Sequence, residues 1–206
     1  MKEFLNRGPA LPNSLSMHLL IETADHKVVG TVISKYKDND YSNTYAFTIG
    51  EQLEVDDIHT SGNEYNDDFM VRWLQRALRE KFGINEANFT ILFEPDSFRV
   101  LSLDYEGDIY NFAILCVLRT SCSFDKFKQK IVTFTDAQET KKIEAFDIDD
   151  IPELLVNKKL HEDITCLKGE EYIFHPSSFL RLLVFYLHKM GKAKGSNMIM
   201  ECYRKL

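Results

Sequence analysis

Between Asp67 and Gly83 the chain carries one segment that admits a single reading. Met70, Trp73, Leu74, Ala77, Leu78 and Phe82 recur at intervals of three and four, so a helix gathers them into one apolar stripe. Asp67 and Asp68 suit its N-terminal end, as caps and as charges set against the helix dipole. Gly83 is a natural stop. The run ahead of the helix, residues 51–67, is acidic, with Glu51, Glu54, Asp56, Asp57, Glu64 and Asp67. A solvated loop is the expectation for it.

The flanks read as strands. Ser16 to Thr23 and Val28 to Tyr36, joined by the polar turn 24–27, predict a hairpin. Thr44 to Ile49 predicts a short strand. After the helix, Phe89 to Glu94, Phe98 to Tyr105 and Ile109 to Leu118 predict three more. Residues 123–130 predict a short helix with Ser123 as its cap, and 143–148 a strand followed by a helix over 149–156. A closing helix begins at Pro176 and stops at Gly191; its apolar residues leave little polar face, so it should pack deeply. With 206 residues the chain favours one domain. We place that domain at 14–191. An arm with Pro9 and Pro12 (1–13) precedes it and a basic tail (192–206) follows it.

Composition removes several functions. A net charge of −7 argues against broad nucleic-acid binding, which needs clustered Lys and Arg. It leaves open a small anionic ligand held by local charges. Cys116, Cys122, Cys166 and Cys202 form no CxxC pair, so zinc spacing is absent. No run approaches the ~18 apolar residues of a membrane span. The expectation is a reduced, cytoplasmic protein.

In register, the chain reads Gly62, five residues, Asp68, seven residues, then Arg76, Ala77, Leu78, Arg79, Glu80, Lys81, Phe82, Gly83, Ile84. This resembles the Nudix box, G-x5-E-x7-R-E-U-x-E-E-x-G-U with U aliphatic. Gly62, Arg76, Leu78, Glu80, Gly83 and Ile84 match. Asp68 conservatively replaces a glutamate, whereas Ala77 and Lys81 replace two glutamates outright. The hairpin before the box, the stretch AFTIGEQLEVDD and the closing HPSSFLRLLVFYLHKMG are similar to those of a bacterial Nudix subgroup. The likeness spans residues 14–191.

The resemblance implies an α/β sandwich with a mixed sheet between helices. It implies action on, or binding of, a nucleoside diphosphate derivative, with Mg²⁺ or Mn²⁺ neutralising the diphosphate and activating water. It assigns Glu80 the catalytic place, with Asp68 as a further metal ligand; Glu51 and Glu54 of the acidic run, Glu51 first, are the replacement ligands if the site has migrated. Arg76, Lys81 and Gly62 fall on the ligand side, Arg76 bracing helix to loop. The two replacements weaken the metal site, because a protonated lysine cannot ligate and repels a divalent ion.

Two functions therefore stand side by side. One is a Mg²⁺- or Mn²⁺-dependent pyrophosphohydrolase. The other is an inactive module that senses a nucleotide or binds a protein partner, with Lys81 meeting phosphates directly. Glu80 and Lys81 should face the loop from Gly50 to Gly62, and Ala77→Glu with Lys81→Glu should restore divalent affinity. Histidines 18, 26, 59, 161, 175 and 188 show no mutual ligand spacing. Ser177 and Ser178 read as first-turn helix residues, and Phe98, Tyr105, Tyr110 and Phe112 as core and sheet. By the resemblance, Glu94 borders the ligand cleft.

Overall fold

The computed structural model describes residues 14–33, 43–58, 69–94, 96–106, 111–131, 140–158 and 163–205. The arm at 1–13, Gly62, Asp68 and Tyr110 lie outside the described residues.

Strand β1 (Ser14–Glu22) is the axis of the molecule. From Ser16 onward every residue in it is buried, which requires cover on both faces and both edges. Strand β2 (Lys27–Ile33) completes the predicted hairpin, antiparallel to the end of β1. β3 (Tyr45–Phe47) pairs with β2, and β4 (Ile49–Gln52) pairs antiparallel with the first half of β1, Ser16 facing Gln52. On the other edge, β6 (Asn111–Arg119) runs parallel to β1 from Ser14–Asn111 to Glu22–Arg119. β5 (Arg99–Glu106) closes that edge and β7 (Thr140–Asp147) adds to β2, giving a seven-stranded mixed sheet.

Alternation along β1 divides the core in two. Met17, Leu19 and Ile21 face one way and pack with Trp73, Leu74, Leu78 and Phe82 of the long amphipathic helix. Leu20 faces the other way, with Leu115 and Val117, and meets Leu182, Phe185 and Tyr186 of the closing helix. Each fully buried side chain of this size contributes roughly 1.5–3 kcal/mol. The result is the α/β class with a mixed sheet between helices, as the sequence led us to expect. Gly30 is needed where β2 crosses Phe146, since a Cβ there would stand 2.7 Å from that ring.

The helices, in chain order, are α1 (Val55–Ile58), α2 (Phe69–Phe82), α3 (Glu86–Leu92), α4 (Phe124–Lys130), α5 (Ile151–Val156), α6 (Pro176–Met190) and α7 (Lys192–Tyr203). Several differ from expectation. The predicted strand at 89–94 is largely α3: Asn85 caps it by accepting from Asn88 N–H at 2.9 Å. Leu92 and Phe93 then reach the core with Phe89 packed against it, so helical spacing overrides the β-branched composition.

The predicted strand 44–49 breaks at Thr48. Its hydroxyl donates to Val29 C=O at 2.6 Å and accepts from Ile21 N–H at 3.1 Å, spending on side-chain bonds what a continuous strand would put into the ladder. Ser123 occupies the cap position of α4, but it is the Asp25 carboxylate that accepts from Phe124 N–H, at 2.9 Å. Tyr105 and Phe112 are not core; they form an exposed ring pair on the outer part of the sheet.

A hairpin and a helix carry no prediction. A hairpin of β8 (Ile164–Leu167) and β9 (Glu170–Ile173) turns at Lys168 and Gly169, both at positive φ, 51° and 85°. That is the turn chemistry of two-residue hairpins. The 192–206 tail contains α7, which packs on α5 and α6. Tyr186 donates its hydroxyl to Met198 Sδ there. No helix of the described residues is long and apolar enough to cross a membrane.

Candidate functional site

The site is built around Arg76. Helix α2 places Arg76 and Glu80 one turn apart on the edge of its apolar stripe, beside β4 and α1. These elements are not a solvated loop. Glu51 and Gln52 belong to the sheet, and the Asp57 side chain is 3% exposed.

Arg76 holds Asp57 in a two-pronged pair, Nε to Oδ1 at 3.0 Å and Nη2 to Oδ2 at 2.8 Å, and Nη2 also donates to Gln52 C=O. Such forks are the strong form of an arginine–carboxylate contact. The Asp57 hydrogen bond raises the Arg76 pKa above its ordinary value, helped by the charges of Asp57, Glu51 and Glu80. The remaining nitrogen, Nη1, lies 3.3 Å from Glu51 Oε1, 3.3 Å from Glu54 Oε1 and 3.1 Å from Glu80 Oε2. Arg72, one turn earlier, donates to the carbonyls of Asp57 and Ile58 and pins the end of α1.

Lys81 extends the network. Its ammonium stands 3.3 Å from Glu51 Oε2. Glu80 and Lys81 thus lie beside the segment that begins at Gly50, Lys81 through Glu51 and Glu80 through Arg76. Lys81 does not, however, present its charge to solvent. Ala77 is farther from expectation, since it is fully buried among Leu74, Leu78 and Ile84.

A divalent ion of the kind the box implies does not fit the described residues. Glu51, Glu54 and Glu80 converge on Arg76 Nη1, the Glu51 carboxylate is also held by Lys81, and Ala77 offers no oxygen. Among the described residues no group of three or more His, Cys, Asp and Glu could hold a metal ion. The expected ligand Asp68 and the expected loop residue Gly62 lie outside the described residues.

Sequence reasoning missed Asp57 and Glu54 as partners of Arg76, although both stand in the acidic run it singled out. It also missed a buried basic group on the α6 side of the sheet. Arg181 donates to Phe47 C=O at 3.2 Å and acts on both His18 and His175. Burial, then Arg181, then His175 push His18 down to about 2; burial, then Arg181, push His175 down to about 4. His175 caps α6, its Nδ1 accepting from Ser177 N–H at 3.3 Å, and Ser178 donates to Tyr45 C=O, so both serines serve the helix start. No spacing signal links residues so far apart in the chain. Glu94 follows α3 and lies near Arg119 at the far end of the sheet from Arg76.

No family model matches the chain, and no curated protein matches it. Among solved structures it is similar to DR0079 of Deinococcus radiodurans, 13% identical over 71% of this chain and 75% of that one, with a TM-score of 0.44. It is also similar to a MutT Nudix hydrolase from Burkholderia pseudomallei, 10% identical over 82% of this chain and 95% of that one, with a TM-score of 0.45.

Proposed function

We propose that this chain is a Nudix-like domain that recognises its ligand without hydrolysing it. The observation that carries the reading is the convergence of Glu51, Glu54 and Glu80 on Arg76 Nη1. Carboxylates that would hold a metal are instead neutralised by the chain's own cations. The ligand class that goes with the box is a nucleoside diphosphate derivative. Lys81 is the cation nearest to hand for its phosphates, and its ammonium must exchange Glu51 for phosphate to reach them. Binding should therefore be weak and salt-sensitive.

The test is calorimetry and product analysis with a panel of nucleoside diphosphate derivatives, in EDTA and in Mn²⁺. The expected result is binding in EDTA, weakened by Lys81→Ala, with no product under either condition. Product released in Mn²⁺ and abolished by EDTA would overturn the reading in favour of a metal-dependent pyrophosphohydrolase.

A second reading, a protein-interaction module, rests on strand β5 and its neighbour. Val100, Leu103, Tyr105 and Phe112 are between 38% and 64% exposed at this sheet edge. Apolar exposure of that kind at an edge suits a protein partner. Failure of every nucleotide to bind favours it.

A further inference from the structure

Beyond the carboxyl ends of β1 and β6 lies a cavity of about 450 Å³. Glu22 and Arg119 end the two parallel strands side by side there, and Lys189 comes from the last turn of α6. Ser16, the partner of Gln52 in the Arg76 cluster, is six residues up β1, about 20 Å at ~3.3 Å per residue. The cavity is thus a separate place from the box. Its volume is in the range of small-molecule sites, and Val117 and Phe185 give it an apolar wall.

Its charged groups are held unevenly. The buried Glu22 carboxylate accepts from Lys189 Nζ at 2.5 Å. Arg119 meets the same carboxylate only at 3.4 and 3.5 Å, and Glu94 at 3.7 Å. Arginine–carboxylate forks close at about 2.7–2.9 Å, so none of these contacts is a good one. Arg99, on the same cavity, donates among the described residues to the Phe98 carbonyl alone. Two guanidinium groups therefore border one space, and neither makes a fork with the described residues.

The wall is fixed in advance. Ser97 Oγ bridges the carbonyls of Glu94 and Arg119 and accepts from Arg119 N–H at 3.0 Å, tying the segment that carries Glu94, Asp96 and Arg99 to the end of β6. Three carboxylates, Glu22, Glu94 and Asp96, balance three cations, Arg99, Arg119 and Lys189. A simple anion would meet Glu94 and Asp96, and a simple cation the two arginines. A ligand carrying both signs satisfies both sets.

We propose that this cavity binds a small zwitterion. Its oxyanion, a carboxylate or a phosphate monoester, takes the forks of Arg99 and Arg119, and its amine takes Glu94 and Asp96.

The test titrates the full chain with the protein amino acids and with phosphoethanolamine, by thermal shift and calorimetry. Inorganic phosphate and methylamine serve as single-charge probes. At least one zwitterion should bind saturably at millimolar concentration, and the two arms tell a carboxylate from a phosphate. Arg99→Ala and Asp96→Asn, both at the surface, should each weaken it about tenfold, the worth of one charge-assisted hydrogen bond. The proposal is overturned if no zwitterion binds or if Arg99→Ala binds as well as wild type. It also falls if inorganic phosphate binds as tightly as the zwitterion and Asp96→Asn strengthens it, because the site is then a plain anion site.

Discussion

Lys81 Nζ stands 3.3 Å from Glu51 Oε2, with the two side chains only 12% and 13% exposed. A carboxylate so far withdrawn from water depends on its partner. Lys81→Ala should lower stability by about 1–3 kcal/mol. Lys81→Glu should lower it further in EDTA, since a second carboxylate joins Glu51, and Mn²⁺ should recover part of the loss. Urea midpoints with and without Mn²⁺ check this. Equal midpoints for Lys81→Glu would show that the position has no connection with a metal.

Arg76 should be the less replaceable cation. Arg76→Ala leaves the buried Asp57 carboxylate unpaired, at a cost of about 3–5 kcal/mol. Arg76→Lys should recover little, because an ammonium cannot reproduce the fork to Asp57 or reach three carboxylates at once. Denaturant titration of both variants decides. A lysine variant as stable as wild type would mean that charge alone, and not the fork, fixes α1 to α2.

Restoring the box by sequence logic should fail. Ala77 is fully buried, so Ala77→Glu forces a carboxylate into the core beside Leu74 and Leu78. The double variant Ala77→Glu, Lys81→Glu should unfold at lower temperature than Lys81→Glu alone, in Mn²⁺ as in EDTA. Thermal melts of the pair contradict this if Mn²⁺ makes the double variant the more stable one.

Acid should destabilise the fold through two histidines. His18 is held down to about 2 and His175 to about 4, against an ordinary 6.5. Between the folded and unfolded values the unfolded chain binds the extra protons, so stability falls as pH drops below 6.5 and recovers as pH rises. The His175 share of the loss is complete near pH 4, while that of His18 continues below it. His175→Asn keeps a capping acceptor for α6 and should flatten the fall between pH 6.5 and 4. An unchanged pH dependence of the urea midpoint would refute the assignment.

The closing helix should be indispensable. Truncation before Pro176 removes Leu182, Phe185 and Tyr186, each essentially without exposure, from the cluster that covers Leu20, Leu115 and Val117 of the sheet. The product should be insoluble or melt without cooperativity. A soluble truncation with a sharp transition would contradict the two-sided core.

Much of this fold is legible because its long elements are strongly patterned. The 3–4 stripe from Met70 to Phe82 and the apolar run to Leu118 give α2 and β6 at nearly their true limits. Residues 89–94 mislead because a β-rich composition sits under a good cap at Asn85. The tail misleads because α7 has a weak stripe, and its Met198 and Ile199 gain a partner only once α6 is in place. At the site, the box register gives Arg76, Glu80 and Lys81 but cannot say which way their charges turn. Asp57, 19 residues from Arg76, closes the fork, and only the folded chain brings the two together.

The parallel pairing of β1 with β6 has a consequence for how the chain comes off the ribosome. Ser14 and Asn111 are partners 97 residues apart, and among the described residues no earlier strand occupies that edge of β1. Leu19, Leu20 and Ile21 are therefore made well before the strand that seals them, which follows only after the intervening chain has emerged. Non-local pairing of this kind slows folding and prolongs the exposure of sticky intermediates. A nascent chain halted before Asn111 should carry an open strand edge, and the speed of translation through residues 23–110 should govern how much of the product ends up soluble.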